Sequence, residues 1–175
     1  MLKYFLLSFT LLFVNTLFAK VLIDPVEAMK ATYGQESSIS KGKFHLTNEK
    51  FKKIQAKTKT KLNTKNYVIY RAKKDDKVLG YGILINKKVR SKNGVVLYLI
   101  ANGKLQGIEI IAFNEPQEYI PNKEWQANFK DKNATKMLQL SQDIPTITGA
   151  TLSAKSVVDG SRIAFALYDE VIKGN

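Results

Sequence analysis

The chain has 175 residues, 45% of them hydrophobic, which is enough to bury one real core and leaves little room for a second full domain. It has no cysteine and one histidine, His45, so disulfides, thiolate or His-clustered metal sites, a thiol nucleophile and a Ser-His-Asp triad are set aside. A formal charge of +13 invites nucleic acid or an anionic surface as a partner.

The lysines behind that charge are scattered from Lys41 to Lys65 over expected helix faces and loops, and they form no nucleic-acid motif. The expectation is a solvated basic face with no nucleic-acid partner. Attraction to an anionic membrane surface or an acidic partner is the second reading. His45 reads as a surface or half-buried residue.

In chain order, residues 1–19 come first. Lys3, an apolar run over residues 4–14 and Ala19 before Lys20 give the layout of a secretory signal peptide. The run is short of the roughly 20 apolar residues that a membrane span needs. Cleavage after Ala19 would place the mature protein in the periplasm or otherwise outside the cytoplasm, with a charge of about +12.

Asp24-Pro25, followed by Val26, Ala28, Met29 and Tyr33, predicts a short helix ended by Gly34. Residues 36–42 read as a polar loop. Thr47 then caps a second helix running to about Lys57, with Leu46 packing on Phe51 as a staple and Ile54 facing inward. A basic connector fills residues 57–66.

From Tyr67 the apolar period shortens to that of strands. Residues 67–72, 78–85, 95–101 and 105–113 are rich in β-branched and aromatic side chains. Lys74-Asp75-Asp76 turns the first pair and Asn102-Gly103 the last, which predicts an antiparallel meander. Gly80 and Gly82 inside the second of these strands point to a bulge or a close backbone approach. A fixed, irregular loop from Asn114 to Pro121 comes next, then a helical piece over residues 125–129. The last helix is expected to bury one face bearing Val157, Ser161, Ala164, Phe165, Tyr168, Val171 and Ile172. Lys155, Asp159, Arg162, Asp169 and Lys173 are expected to lie mostly away from it. The fold class is α+β: one domain, after the signal peptide, with a twisted antiparallel sheet flanked by helices.

Thr148-Gly149-Ala150-Thr151 stands just before that last helix. A helix start offers unpaired N–H groups and the positive end of the dipole, so it suits a phosphate. Gly149 and Ala150 lack bulk, while Thr148, Thr151 and Ser153 add hydroxyls. The plain alternative is that Thr151 or Ser153 only caps the helix.

The order Thr148-Gly149-Ala150-Thr151-Leu152-Ser153, preceded by a sheet and a Glu-Pro loop and followed by a helix, resembles the FMN-binding domain family. That family includes the periplasmic flavin subunits of sodium-pumping NADH:quinone reductase and of the Rnf electron-transport complexes. Its motif is Asp-Gly-x-(Ser/Thr)-Gly-Ala-Thr, and a dedicated flavin transferase joins FMN through its phosphate to the last threonine. The resemblance covers about residues 67–171. It implies an FMN-binding domain at 67–175, which follows the signal peptide at 1–19 and the helical N-terminal segment at 20–66 read from the residues above. It further implies FMN as cofactor, linked to Thr151, with Thr148, Gly149, Ala150, Leu152 and Ser153 around it. Glu115, Tyr119 and Trp125 are candidate neighbours of the ring. The implied role is an extracytoplasmic electron carrier or subunit, with a flavin transferase and a membrane redox complex or quinone-linked donor as partners. The family's Asp-Gly falls on Pro145-Thr146 here, with Asp143 two residues early. A flavin module without the covalent link, serving sensing or assembly, and a basic envelope-binding protein without cofactor stay open as alternatives.

Overall fold

The computed structural model describes residues 21–173, so the signal-peptide expectation for residues 1–19 lies outside the described residues. Five strands pair antiparallel, each with its neighbour in sequence: β1 (Ser38–His45), β2 (Asn66–Lys74), β3 (Lys77–Lys88), β4 (Asn93–Ala101) and β5 (Lys104–Phe113). The four strands read from their periodicity are β2 to β5. Their turns are built as expected: Asp75 and Asp76 have φ of 47° and 60°, and Asn102 and Gly103 have φ of 51° and 73°. Such mirror-image turns match the right-handed twist of the flanking strands.

The first strand corrects the sequence reading. Residues 36–42 were expected as a polar loop, yet Ser38 to His45 pair with Lys73 to Asn66 as β1. The reason is its place at the sheet edge, where only Ile39 and Phe44 are half-buried and the rest is exposed. An edge strand buries too little to show a period, and its lysines discourage pairing with other chains. His45 ends this strand, exposed, with Nδ1 2.7 Å from Asn66 Oδ1.

Register shifts at Ala72/Lys73, Val95/Val96 and Leu99/Ile100 bulge the sheet and increase its twist. The alternation of side chains then makes two cores. On one face Ala28 and Met29 of α1 (Pro25–Tyr33) cover Tyr70, Ala72, Leu97, Leu99 and Ile111. Gly80 and Gly82 admit the Tyr33 ring and the Met29 sulfur there, a close approach that a Cβ at either position would block.

The other face carries the larger core. It is covered by α2 (Asn48–Thr58), α3 (Lys123–Ala127) and α4 (Thr151–Leu167), which continues as a π-helical turn over Tyr168–Lys173. Leu46 and Phe51 both join this core, as a staple requires, and Thr47 Oγ1 accepts the Lys50 N–H at 3.2 Å. The helix expected at 125–129 starts earlier, because Asn122 caps it by accepting the Trp125 N–H at 2.8 Å.

α4 differs from its expected one-sided stripe. From Ser153 to Tyr168 nearly every residue except Lys155 is buried, Asp159 included. Asp159 is satisfied by Lys155 at 2.9 Å and Arg162 at 3.6 Å, so its charge goes inside with partners. Tyr98 of β4 donates its hydroxyl to the Val157 carbonyl at 2.6 Å. It passes so close to the helix backbone that any Cβ at Gly160 would collide with the phenol. Burial raises the Tyr98 pKa well above the usual phenol value, so this bond keeps its proton. Among the described residues no helix is long and apolar enough to cross a membrane.

Candidate functional site

The tight contact between Tyr98 and Gly160 anchors the body of α4, and its first turn then projects past the β3–β4 connection. The helix begins at Thr151 with Ala150 as its N-cap residue, and among the described residues no side chain caps it. A cap by Thr151 or Ser153, the plain alternative, is therefore absent. Leading into the helix, the Ala150 N–H donates to the Ile147 carbonyl at 3.0 Å, and Gly149 turns the chain with φ of 79°. That left-handed conformation favours glycine, and the space around it is open. Thr151 is exposed, its hydroxyl only loosely tied to the Ile147 carbonyl at 3.4 Å. Ser153 is 2% exposed and lines the adjacent cleft.

Opposite the helix start, Glu115 organises the second wall. Its Oε1 accepts three consecutive backbone N–H groups, from Arg90 at 3.2 Å, Ser91 at 2.8 Å and Lys92 at 2.9 Å. The Lys92 N–H holds the carboxyl below the usual carboxylate range; burial opposes it, and the Ser91 and Arg90 N–H groups and the Arg90 charge then add to the lowering. The β3–β4 connection is closed further by the Val89 N–H donating to the Lys92 carbonyl at 2.9 Å. Next in the loop, Tyr119 is half-buried in a 3-10 turn at Gln117–Tyr119, with the Arg90 guanidinium 5.5 Å from its ring centroid.

These walls enclose an open cleft of about 210 Å³, lined by Val89, Arg90, Glu115, Tyr119 and residues 149–153. The structure thus brings Gly149, Ala150, Thr151, Leu152, Ser153, Glu115 and Tyr119 together. It places Thr148 elsewhere, in a neighbouring cleft with Pro145, Thr146, Ile147 and Trp125. Trp125 is a packing residue there. It stacks edge-on against Phe129 and donates its indole N–H to the Pro145 carbonyl at 2.8 Å. Val89 and Arg90 were missed from sequence. The Asn93-Gly94 pair just beyond them belongs to β4 rather than to the turn, so no local signal marked this wall.

A helix start without a cap, hydroxyls at its first and third positions and an adjoining half-apolar cleft have the chemistry that suits a phosphate-bearing, flat cofactor. Residues 91–166 match the FMN-binding domain family, so the chain carries an FMN-binding domain and its cofactor is FMN. No curated protein matches the chain. The matched stretch holds Glu115, Tyr119 and the whole α4 start, while Val89 and Arg90 fall just before it.

The residues present fit FMN. First-turn N–H groups of α4 suit the phosphate, and Ser153, a buried residue that lines the cleft, makes no side-chain hydrogen bond to protein among the described residues. Val89, Leu152 and Tyr119 supply apolar surface; Leu152 is 47% exposed, unusual for a leucine beside a core. The cleft is smaller than the roughly 300–1,000 Å³ that encloses a whole ligand, so it suits partial shelter.

Proposed function

We propose that the protein is an extracytoplasmic electron carrier whose FMN is joined by a phosphoester to Thr151. The observation that carries this reading is the exposed Thr151 hydroxyl at the head of an uncapped helix, inside the matched FMN-binding stretch. FMN supplies the redox chemistry when bound. The chain's own residues bind and orient it. Residues 151–153 offer amides and hydroxyls to the phosphate, Gly149 keeps the approach clear, and Glu115 fixes the connection that forms the far wall.

Export is supported by the layout of residues 1–19, and a tether would keep the cofactor from being lost outside the cytoplasm. On this reading a flavin transferase makes the link. A membrane redox complex or quinone-linked donor loads the electrons, and the basic surface favours an anionic membrane nearby.

One observation favours a non-covalent flavin instead. The family's Asp-Gly is Pro145-Thr146 here, and Asp143, two residues early, has its carboxylate engaged by Lys136 and the Gln139 N–H (2.9 Å). The test is coexpression with an active flavin transferase, read by in-gel flavin fluorescence and intact mass. The expected result is a mass gain of FMN minus water that Thr151→Ala abolishes and Thr151→Ser partly keeps. Pro145→Asp with Thr146→Gly should raise the labelled fraction. A yellow protein that bleaches to a dark band on denaturation would establish the non-covalent reading.

A further inference from the structure

We propose that Arg90 sets how strongly the bound FMN holds its electrons, by placing a guanidinium beside the ring. The inference rests on FMN occupying the cleft, and takes neither export nor the covalent link for granted.

Among the described residues that line the cleft, Arg90 is the one cation. Its place is fixed twice. Its backbone N–H is the first of the three that Glu115 holds, and its guanidinium lies over Tyr119 at 5.5 Å. An exposed arginine on a free turn would sweep a wide volume; this one is held at the cleft wall. Among the described residues Glu115 is the one carboxylate lining the cleft; it stays ionised, and its Oε1 is engaged by the three backbone donors of residues 90–92.

The two halves of the cleft decide what the cation faces. Phosphate is served by the α4 start, with Thr151 and Ser153. Apolar and aromatic surface comes from Val89, Leu152 and Tyr119, where a flat ring would rest. Arg90 lies on Tyr119, so its charge belongs to the ring's half. Uptake of two electrons and one proton from an external reductant leaves one net negative charge on the ring, on its pyrimidine side. A nearby cation favours that form over the oxidised one.

The experiment is a reductive titration of the FMN-loaded protein with dithionite against a reference dye, for wild type, Arg90→Ala and Arg90→Lys. Arg90→Ala should disfavour reduced flavin on the order of tenfold, about 30 mV for a two-electron couple. Arg90→Lys should keep most of the wild-type midpoint, and the difference should shrink at high salt because the side chain is exposed. Equal midpoints for wild type and Arg90→Ala would overturn the proposal. So would a loss of flavin from Arg90→Ala with no change in the midpoint of what remains, which would put the guanidinium on the phosphate. Wild-type protein that takes up no FMN would overturn the site itself, and the Arg90 role with it.

Discussion

Among the described residues, three α-helices begin in one way and the fourth in another. Asp24 accepts the N–H groups of Val26 and Glu27, Thr47 that of Lys50, and Asn122 that of Trp125. The longest helix, α4, starts on Ala150 with no side-chain acceptor. A capped start is the usual way to satisfy first-turn amides, each cap being worth about 1 kcal/mol. α4 does without one because its stability comes from its body, buried along most of its length between the sheet and α2. The open turn is thus left without a side-chain cap, and on the proposed reading it is kept for a ligand.

The largest test of this division is in the helix body. Phe165 is fully buried in the larger core, and Phe165→Ala should destabilise the protein by about 3–5 kcal/mol. The denaturant midpoint should fall sharply. Because Phe165 is far along α4 from Thr151, FMN bound per folded molecule should hold at temperatures where the variant remains folded. A variant that keeps its stability would show that the body of α4 is not what supports the open start.

A smaller effect is expected at the opposite wall. The Glu115 carboxyl is held below its ordinary range by the backbone donors of residues 90–92, Lys92 foremost. A folded-state pKa below the unfolded one adds stability that is present above the unfolded value, about 4.3. That contribution is lost as pH falls through the depressed folded value. Wild type should therefore exceed Glu115→Gln in thermal midpoint at neutral pH, and the gap should close as the solution is taken down through pH 4 and below. A gap that stays constant across that range would remove the charge from the account and leave only the shape of the side chain.

Sequence carries the parts of this molecule that repeat or that obey local rules. β2 to β5 alternate, Asn102-Gly103 can hardly be anything but a turn, and Asp24 and Thr47 cap the helices that begin beside them. The order Gly-Ala-Thr was legible because each residue acts through its own backbone or hydroxyl, and the structure places all three at the cleft. β1 was hidden, since an edge strand with only Ile39 and Phe44 half-buried has no period to read. Arg90 was hidden for another reason. It reaches the cleft through a carboxylate 25 positions away, and nothing near it in sequence announces that pairing. Thr148 errs the other way: adjacent in sequence to the site, it faces the neighbouring cleft because Gly149 turns the chain between them.

The smallest effect sharpens the comparison most, because it sets two threonines at two helix starts against each other. Thr47→Ala removes the acceptor for the Lys50 N–H and should cost about 1 kcal/mol of stability. Thr151→Ala removes a hydroxyl whose one protein contact among the described residues is the long bond to the Ile147 carbonyl, on an exposed residue. Its cost should stay within about 0.5 kcal/mol, since exposed substitutions away from caps and cores rarely exceed that. Chemical denaturation of the two variants in parallel, without FMN, reads the difference directly. If Thr151→Ala costs as much as Thr47→Ala, the Thr151 hydroxyl is supporting the helix after all. A cost near zero leaves that hydroxyl without a structural task and free for the proposed link to FMN.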